Sequence, residues 1–106
     1  MPHTKNGSVK LLMTYDPIPE RQQEYFQYVL GEFLPALQSL GLPMQEVWHT
    51  AYGEYPLRLL TFVSPDLESL GTILNSPEFQ ALEDRLMGYV VNYRKRIVQM
   101  RERFQF

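Results

Sequence analysis

Residues Pro43 to Pro65, PMQEVWHTAYGEYPLRLLTFVSP, decide how the chain is read. Gln45 to Tyr52 and Leu57 to Val63 are rich in β-branched, aromatic and long apolar residues, and Gly53-Glu54-Tyr55-Pro56 separates them with turn-forming types. The pattern predicts a β-hairpin. It holds the only tryptophan, Trp48, and one of two histidines, His49, so fold and any chemistry meet in it.

Outward from the hairpin, both flanks read as helix. Upstream, Phe26, Val29, Leu30, Phe33, Leu37 and Leu40 recur at steps of three and four, which predicts one amphipathic helix over Glu20 to Leu40. Glu20 stands in its first turn, and Gly41 with Pro43 beyond it supplies the stop. Pro35 lies inside the pattern, where its missing N–H is expected to kink the later turns. Downstream, Ser64-Pro65-Asp66 is read as an N-cap, a first-turn proline and a first-turn acid. A short helix then carries Leu67, Leu70, Ile73 and Leu74. Asn75-Ser76-Pro77-Glu78 starts a second helix, with Phe79, Leu82 and Leu86 on its stripe up to Gly88.

The ends complete the order. Ser8 to Tyr15, SVKLLMTY, predicts a strand closed by Asp16-Pro17-Ile18-Pro19, and residues 1–7 form a loose lead-in. Tyr89 to Phe106 fits both a helical stripe through Val90, Tyr93, Ile97, Met100 and Phe104 and an alternating strand. Gly88 as a C-cap and the Val90-Val91 pair favour a strand over 91–101. The sum is β-α-β-β-α-β in one α+β domain spanning 1–106, a ferredoxin-like arrangement with a four-stranded antiparallel sheet.

Such a sheet is covered by helices on one face only. No strand here has a cleanly polar second face: Leu12 opposes Leu11, Leu60 and Phe62 oppose Leu57, Leu59 and Val63, and Val47 opposes Trp48. Whichever face the helices take, apolar side chains remain on the other, and a second copy packed across a two-fold axis is the most economical cover. A homodimer is therefore expected.

Composition bounds the function. The 106 residues carry 44% hydrophobic and 21% charged residues with a net charge of −2, so no footprint for nucleic acid exists beyond a local bunch at Arg94, Lys95, Arg96, Arg101 and Arg103. A solvated face is the plain account of that bunch. Cysteine is absent, which removes disulfides and thiolate chemistry and fits a cytoplasmic location. No run reaches the length of a membrane span and no signal peptide is evident. Phosphate loop, nucleophile elbow, Rossmann glycines and metal-ligand spacing are all missing from the sequence, so no cofactor and no metal is expected.

Phe33-Leu34-Pro35 with Gly41, Val47-Trp48 followed by Gly53, and Ser76-Pro77-Glu78-Phe79 resemble the dimeric α/β-barrel superfamily in its NIPSNAP-like and antibiotic-biosynthesis-monooxygenase-like branches, from Val9 to about Met100. The resemblance implies a homodimer whose sheets pack into an α/β barrel, and binding of a small, mostly apolar or aromatic molecule is the first functional expectation for such a barrel here. It also implies, as the alternative, a cofactor-free monooxygenase or isomerase acting on an aromatic or quinone-like substrate. Haem degradation, another activity of the superfamily, uses a histidine on the second helix, and none stands between Asp66 and Gly88.

Among individual residues, His49 is the candidate acid or base because its ordinary pKa lies near neutrality. A strand histidine hydrogen-bonded at the sheet or dimer interface is the commoner role for such a residue. Trp48, Tyr52, Tyr15 and Arg58 are candidates for ligand contact, through stacking, phenol hydrogen bonds and a guanidinium for carboxylate or phenolate. Core packing for the aromatics and an ion pair for Arg58 are the alternatives.

Overall fold

The computed structural model describes residues 8–50 and 57–99. The strands are β1 (Val9–Pro17), β2 (Met44–Thr50), β3 (Leu57–Ser64) and β4 (Val90–Gln99). They form one antiparallel sheet in the order β2-β3-β1-β4, the ferredoxin-like order. β1 is central because its alternate residues Val9, Leu11, Met13 and Tyr15 are all essentially inaccessible, as a strand with neighbours on both sides and helices above it requires. It runs on to Pro17, two residues past the expected end at Tyr15. The last segment is a strand, and Gln99 is its final described residue. The hairpin turn at 53–56, Arg101 and Arg103 lie outside the described residues.

The first helical segment departs from a plain α-helix. A 3-10 turn at Pro19–Arg21 leads into α1 (Gln22–Tyr28), a π-helical turn covers Val29–Phe33, and α2 (Leu34–Ser39) follows. Pro35 is the cause we assign. It has no N–H to give the carbonyl of Gly31, and the wider turn, in which the Leu34 N–H bonds to Val29 O, delivers Pro35 to the first turn of a new helix, where no donor is needed. The expected kink is thus realised as a widened turn. It also rotates the buried stripe: Tyr25, Tyr28, Val29, Phe33 and Leu37 are buried, whereas Leu30, expected on the core side, is 64% exposed.

At Gly41 the chain ends α2 with φ +98°. Leu42 N–H bonds to Leu37 O at 2.8 Å and Gly41 N–H to Gln38 O at 3.0 Å, with Leu37 and Leu42 both buried; this is a complete Schellman closure. Only glycine takes that φ without strain.

After β3, the cap of α3 (Leu67–Leu74) is Asp66, whose Oδ1 accepts from Ser69 N–H at 2.6 Å. Ser64, the expected cap, instead donates from Oγ to Asp66 O. Serine and aspartate compete for such positions, and the acid two residues on wins because a carboxylate is the stronger acceptor at a helix N-terminus. Within the expected start Asn75-Ser76-Pro77-Glu78 it is Ser76 that caps α4 (Pro77–Leu86), accepting from Phe79 N–H at 3.1 Å. Leu70, Phe79 and Leu86 are buried beneath these helices, while Leu67, also expected there, is 56% exposed.

The four helices cover one face of the sheet. Cross-strand register fixes the sides: Leu11 faces Phe62 and Ile97, Met13 faces Leu60 and Lys95, all of one parity. Leu12, Thr14, Leu59, Val63, Arg94, Arg96 and Val98 have the opposite parity and form the open face. Near the start of β4 an extra residue enters between Arg94 and Val91, and Asn92 takes φ 57° there. Its Nδ2 donates to Asp16 Oδ2 at 2.8 Å, which holds the bulge.

Candidate functional site

One cross-strand row gathers three of the five residues singled out by sequence. Tyr15 on β1 is paired with Arg58 on β3, and Arg58 with His49 on β2, so the three positions share the helix-covered parity. Trp48 belongs to the next row, opposite Leu59, which is itself opposite Thr14. The candidates therefore divide between the two faces. Tyr52 lies outside the described residues.

The row is roofed by α1. Tyr15 and Tyr25 hydroxyls are 2.7 Å apart, their rings edge-on with centroids at 5.8 Å. The Arg58 guanidinium stands 5.0 Å from the Phe26 ring centre and 5.7 Å from that of Tyr25, within cation–π range. Arg58 Nε is buried and has no hydrogen-bond partner among the described residues, an arrangement that wants an acceptor. Tyr93 closes the far side, its hydroxyl donating to Glu83 Oε2 at 2.7 Å; the same carboxylate oxygen takes Lys95 Nζ at 2.6 Å.

Electrostatics restrict what these phenols can do. Burial is the main cause raising Tyr15, with the neighbouring Tyr25 adding to it. Tyr25 is raised by burial, against opposing contributions from the Tyr15 hydrogen bond and Arg58. Burial followed by the Glu83 contact raises Tyr93. All three are neutral phenols near pH 7. They can donate a hydrogen bond to a ligand or pack, but none is a base, so general-base chemistry in this row would fall to position 49.

Sequence reasoning missed Tyr25, Phe26 and Glu83. Phe26 falls on the helical stripe and reads from sequence as core, and Tyr25 lies one position off that stripe. The step from Tyr25 to Tyr28 to Val29 was the available signal.

On the open face a half-enclosed concavity of about 620 Å³ is lined by Leu12, Thr14, Leu59, Arg94, Lys95 and Arg96. A second groove, about 490 Å³, runs between α2 and α4 over Ala36, Leu40, Ala81 and Leu82 with Glu78 and Arg85 at its sides. Its cation is already engaged, since Arg85 Nη1 bonds Glu32 Oε1 at 2.6 Å. Among the described residues no helix is long and apolar enough to cross a membrane.

No family model and no curated protein matches the sequence. Solved structures share the fold. A conserved protein from Methanosarcina mazei is 16% identical with a TM-score of 0.71, covering 95% of this chain and all of that one. A NIPSNAP domain protein from Burkholderia xenovorans is 13% identical with a TM-score of 0.69, covering 92% and 99%. A candidate antibiotic biosynthesis monooxygenase from Caulobacter crescentus is 12% identical with a TM-score of 0.72, covering 92% of each. The chain thus has the α+β, ferredoxin-like fold of NIPSNAP and antibiotic-biosynthesis-monooxygenase-like structures, the branches the sequence resembles. At these identities the likeness is one of fold; activity does not follow from it.

Proposed function

We propose that the protein is a homodimeric α/β barrel that binds a small aromatic molecule bearing an acidic oxygen, in the row formed by Tyr15, Arg58 and His49. The observation that carries the ligand is Arg58: a half-buried guanidinium against two aromatic rings, with a buried Nε donor that has no acceptor among the described residues. A phenolate or carboxylate supplies the acceptor, and an aromatic body suits the surrounding rings. Titration with a panel of phenols and benzoates, followed calorimetrically, is expected to find a binder that Arg58→Met weakens by about tenfold or more, the loss of a charge-assisted hydrogen bond. Equal binding by the variant, or no binder in the panel, sinks the site.

The dimer is supported by the open face, where Leu12, Leu59, Val63 and Val98 are only half-buried in one chain and a second sheet would cover them. Sedimentation at micromolar concentration is expected to give twice the 12.5 kDa mass of the chain; a species at the chain mass would refute the assembly.

A second reading, a cofactor-free monooxygenase or isomerase with His49 as base, is favoured by the pairing of His49 with Arg58, since a base beside a guanidinium could take a phenol proton whose anion the cation stabilises. Turnover of a panel member, unchanged in His49→Ala, would remove that role. Localisation to the cytoplasm accords with the absence of cysteine.

A further inference from the structure

The basic bunch of β4 is resolved by the strand into two populations. Lys95 has the helix-side parity and spends its charge on Glu83 at 2.6 Å. Arg94 and Arg96 are on the open face, opposite Thr14 and Leu12, and among the described residues neither has an ion pair or a hydrogen-bond partner. Two residues apart on one strand face, the two guanidiniums raise each other's electrostatic energy, and among the described residues no acid is paired with either. Asp16, the acid on β1 with this parity, is engaged by Asn92; Glu46, opposite Thr61, belongs to β2, across the sheet with β3 and β1 between.

Beside this cationic pair the floor is apolar. Leu12 and Leu59 line the same 620 Å³ concavity, with Thr14 as the one neutral polar side chain. The volume falls in the range of small-molecule sites, and the division into an apolar floor and a wall of two guanidiniums unpaired among the described residues matches one ligand chemistry: a small amphipathic anion, an organic carboxylate with an apolar tail.

We propose that the open face of the sheet binds such an anion, its carboxylate on Arg94 and Arg96 and its tail over Leu12 and Leu59. This is a different site from the Arg58 row, on the other side of the sheet. In a face-to-face dimer the ligand would lie between the two sheets and neutralise cations that assembly would otherwise bring together uncompensated. The binding itself does not depend on the dimer.

The test uses octanoate as the probe, with acetate and octanol as head-only and tail-only controls, on the full chain. Octanoate is expected to bind saturably, about tenfold or more tightly than either control, and to lose about tenfold in affinity in the Arg94→Gln/Arg96→Gln variant. A variant with the same change of charge on the helix side, Arg21→Gln/Arg85→Gln, is expected to bind as the wild type does. Amide shifts in a two-dimensional NMR titration should move at Leu12, Thr14 and Leu59. The proposal is overturned if octanoate does not bind, if the β4 double variant binds it undiminished, or if both double variants lose it equally, which would mean net charge alone. Shifts confined to Tyr25, Phe26 and Arg58 would assign the probe to the other site and equally overturn this one.

Discussion

Truncating Phe33 to Ala is expected to cost about 3–5 kcal/mol of unfolding free energy, enough to leave a domain of this size barely folded. Leu30→Ala, three residues earlier, should change stability by only about 0.5 kcal/mol or less. The contrast is a test of the π-helical turn. Phe33 is inaccessible and packs its ring against Tyr28 at 5.8 Å, whereas Leu30 is 64% exposed. On an unbroken α-helix with the stripe read from sequence, both would be core residues and both truncations would be costly. Urea unfolding of the two variants decides between these. A Leu30→Ala loss comparable to that of Phe33→Ala would mean that the widened turn is absent in solution.

That pair also marks where sequence stops being readable. The order of elements, the hairpin, the Ser76 cap, the Gly41 stop and the apolar second face of the sheet all follow from periodicity and turn chemistry, which act over a few residues and leave their mark locally. The phase of the first helical stripe does not. It depends on how the chain accommodates Pro35, and the residues it then buries find non-local partners, Tyr25 against Tyr15 of β1 and Tyr28 against Tyr89 and the Leu82 carbonyl of α4. The same holds for the site. Arg58, Tyr15 and His49 were each visible as residue types, yet their union in one row is a matter of strand register, which is set by residues on three strands at once. Conversely, the β4 basic bunch looked like a uniform run, and only alternation on a fixed strand separates Lys95, which is neutralised, from Arg94 and Arg96, which are not.

The buried phenols imply a marked loss of stability in alkali. In the unfolded chain a tyrosine ionises near pH 10. In the folded protein Tyr15, Tyr25 and Tyr93 are all raised, chiefly by burial, and Tyr28 is pushed up to about 12 by burial, against the pull of Arg85. Above pH 10 the unfolded state therefore sheds protons that the native state keeps. It binds fewer protons, so unfolding free energy falls as pH rises. The contribution of these groups is whole below about pH 10 and is lost progressively above it, at about 1.4 kcal/mol per pH unit for Tyr15 alone while it stays neutral in the fold. Urea midpoints measured from about pH 9 to about pH 11.5 are expected to drop steeply over the upper half of that range, with the phenolate absorbance contributed by Tyr15, Tyr25, Tyr28 and Tyr93 appearing together with unfolding. Tyr15→Phe supplies the internal check. It leaves the Tyr25 hydroxyl without its 2.7 Å partner, which costs about 1–3 kcal/mol at neutral pH, but it removes one titrating group, so its decline in alkali should be shallower than that of the wild type. A flat profile through pH 11, or a Tyr15→Phe slope equal to the wild-type slope, would show that water reaches these phenols in the folded state and that the row beneath α1 is open, with Arg58 Nε hydrated rather than waiting for a ligand oxygen.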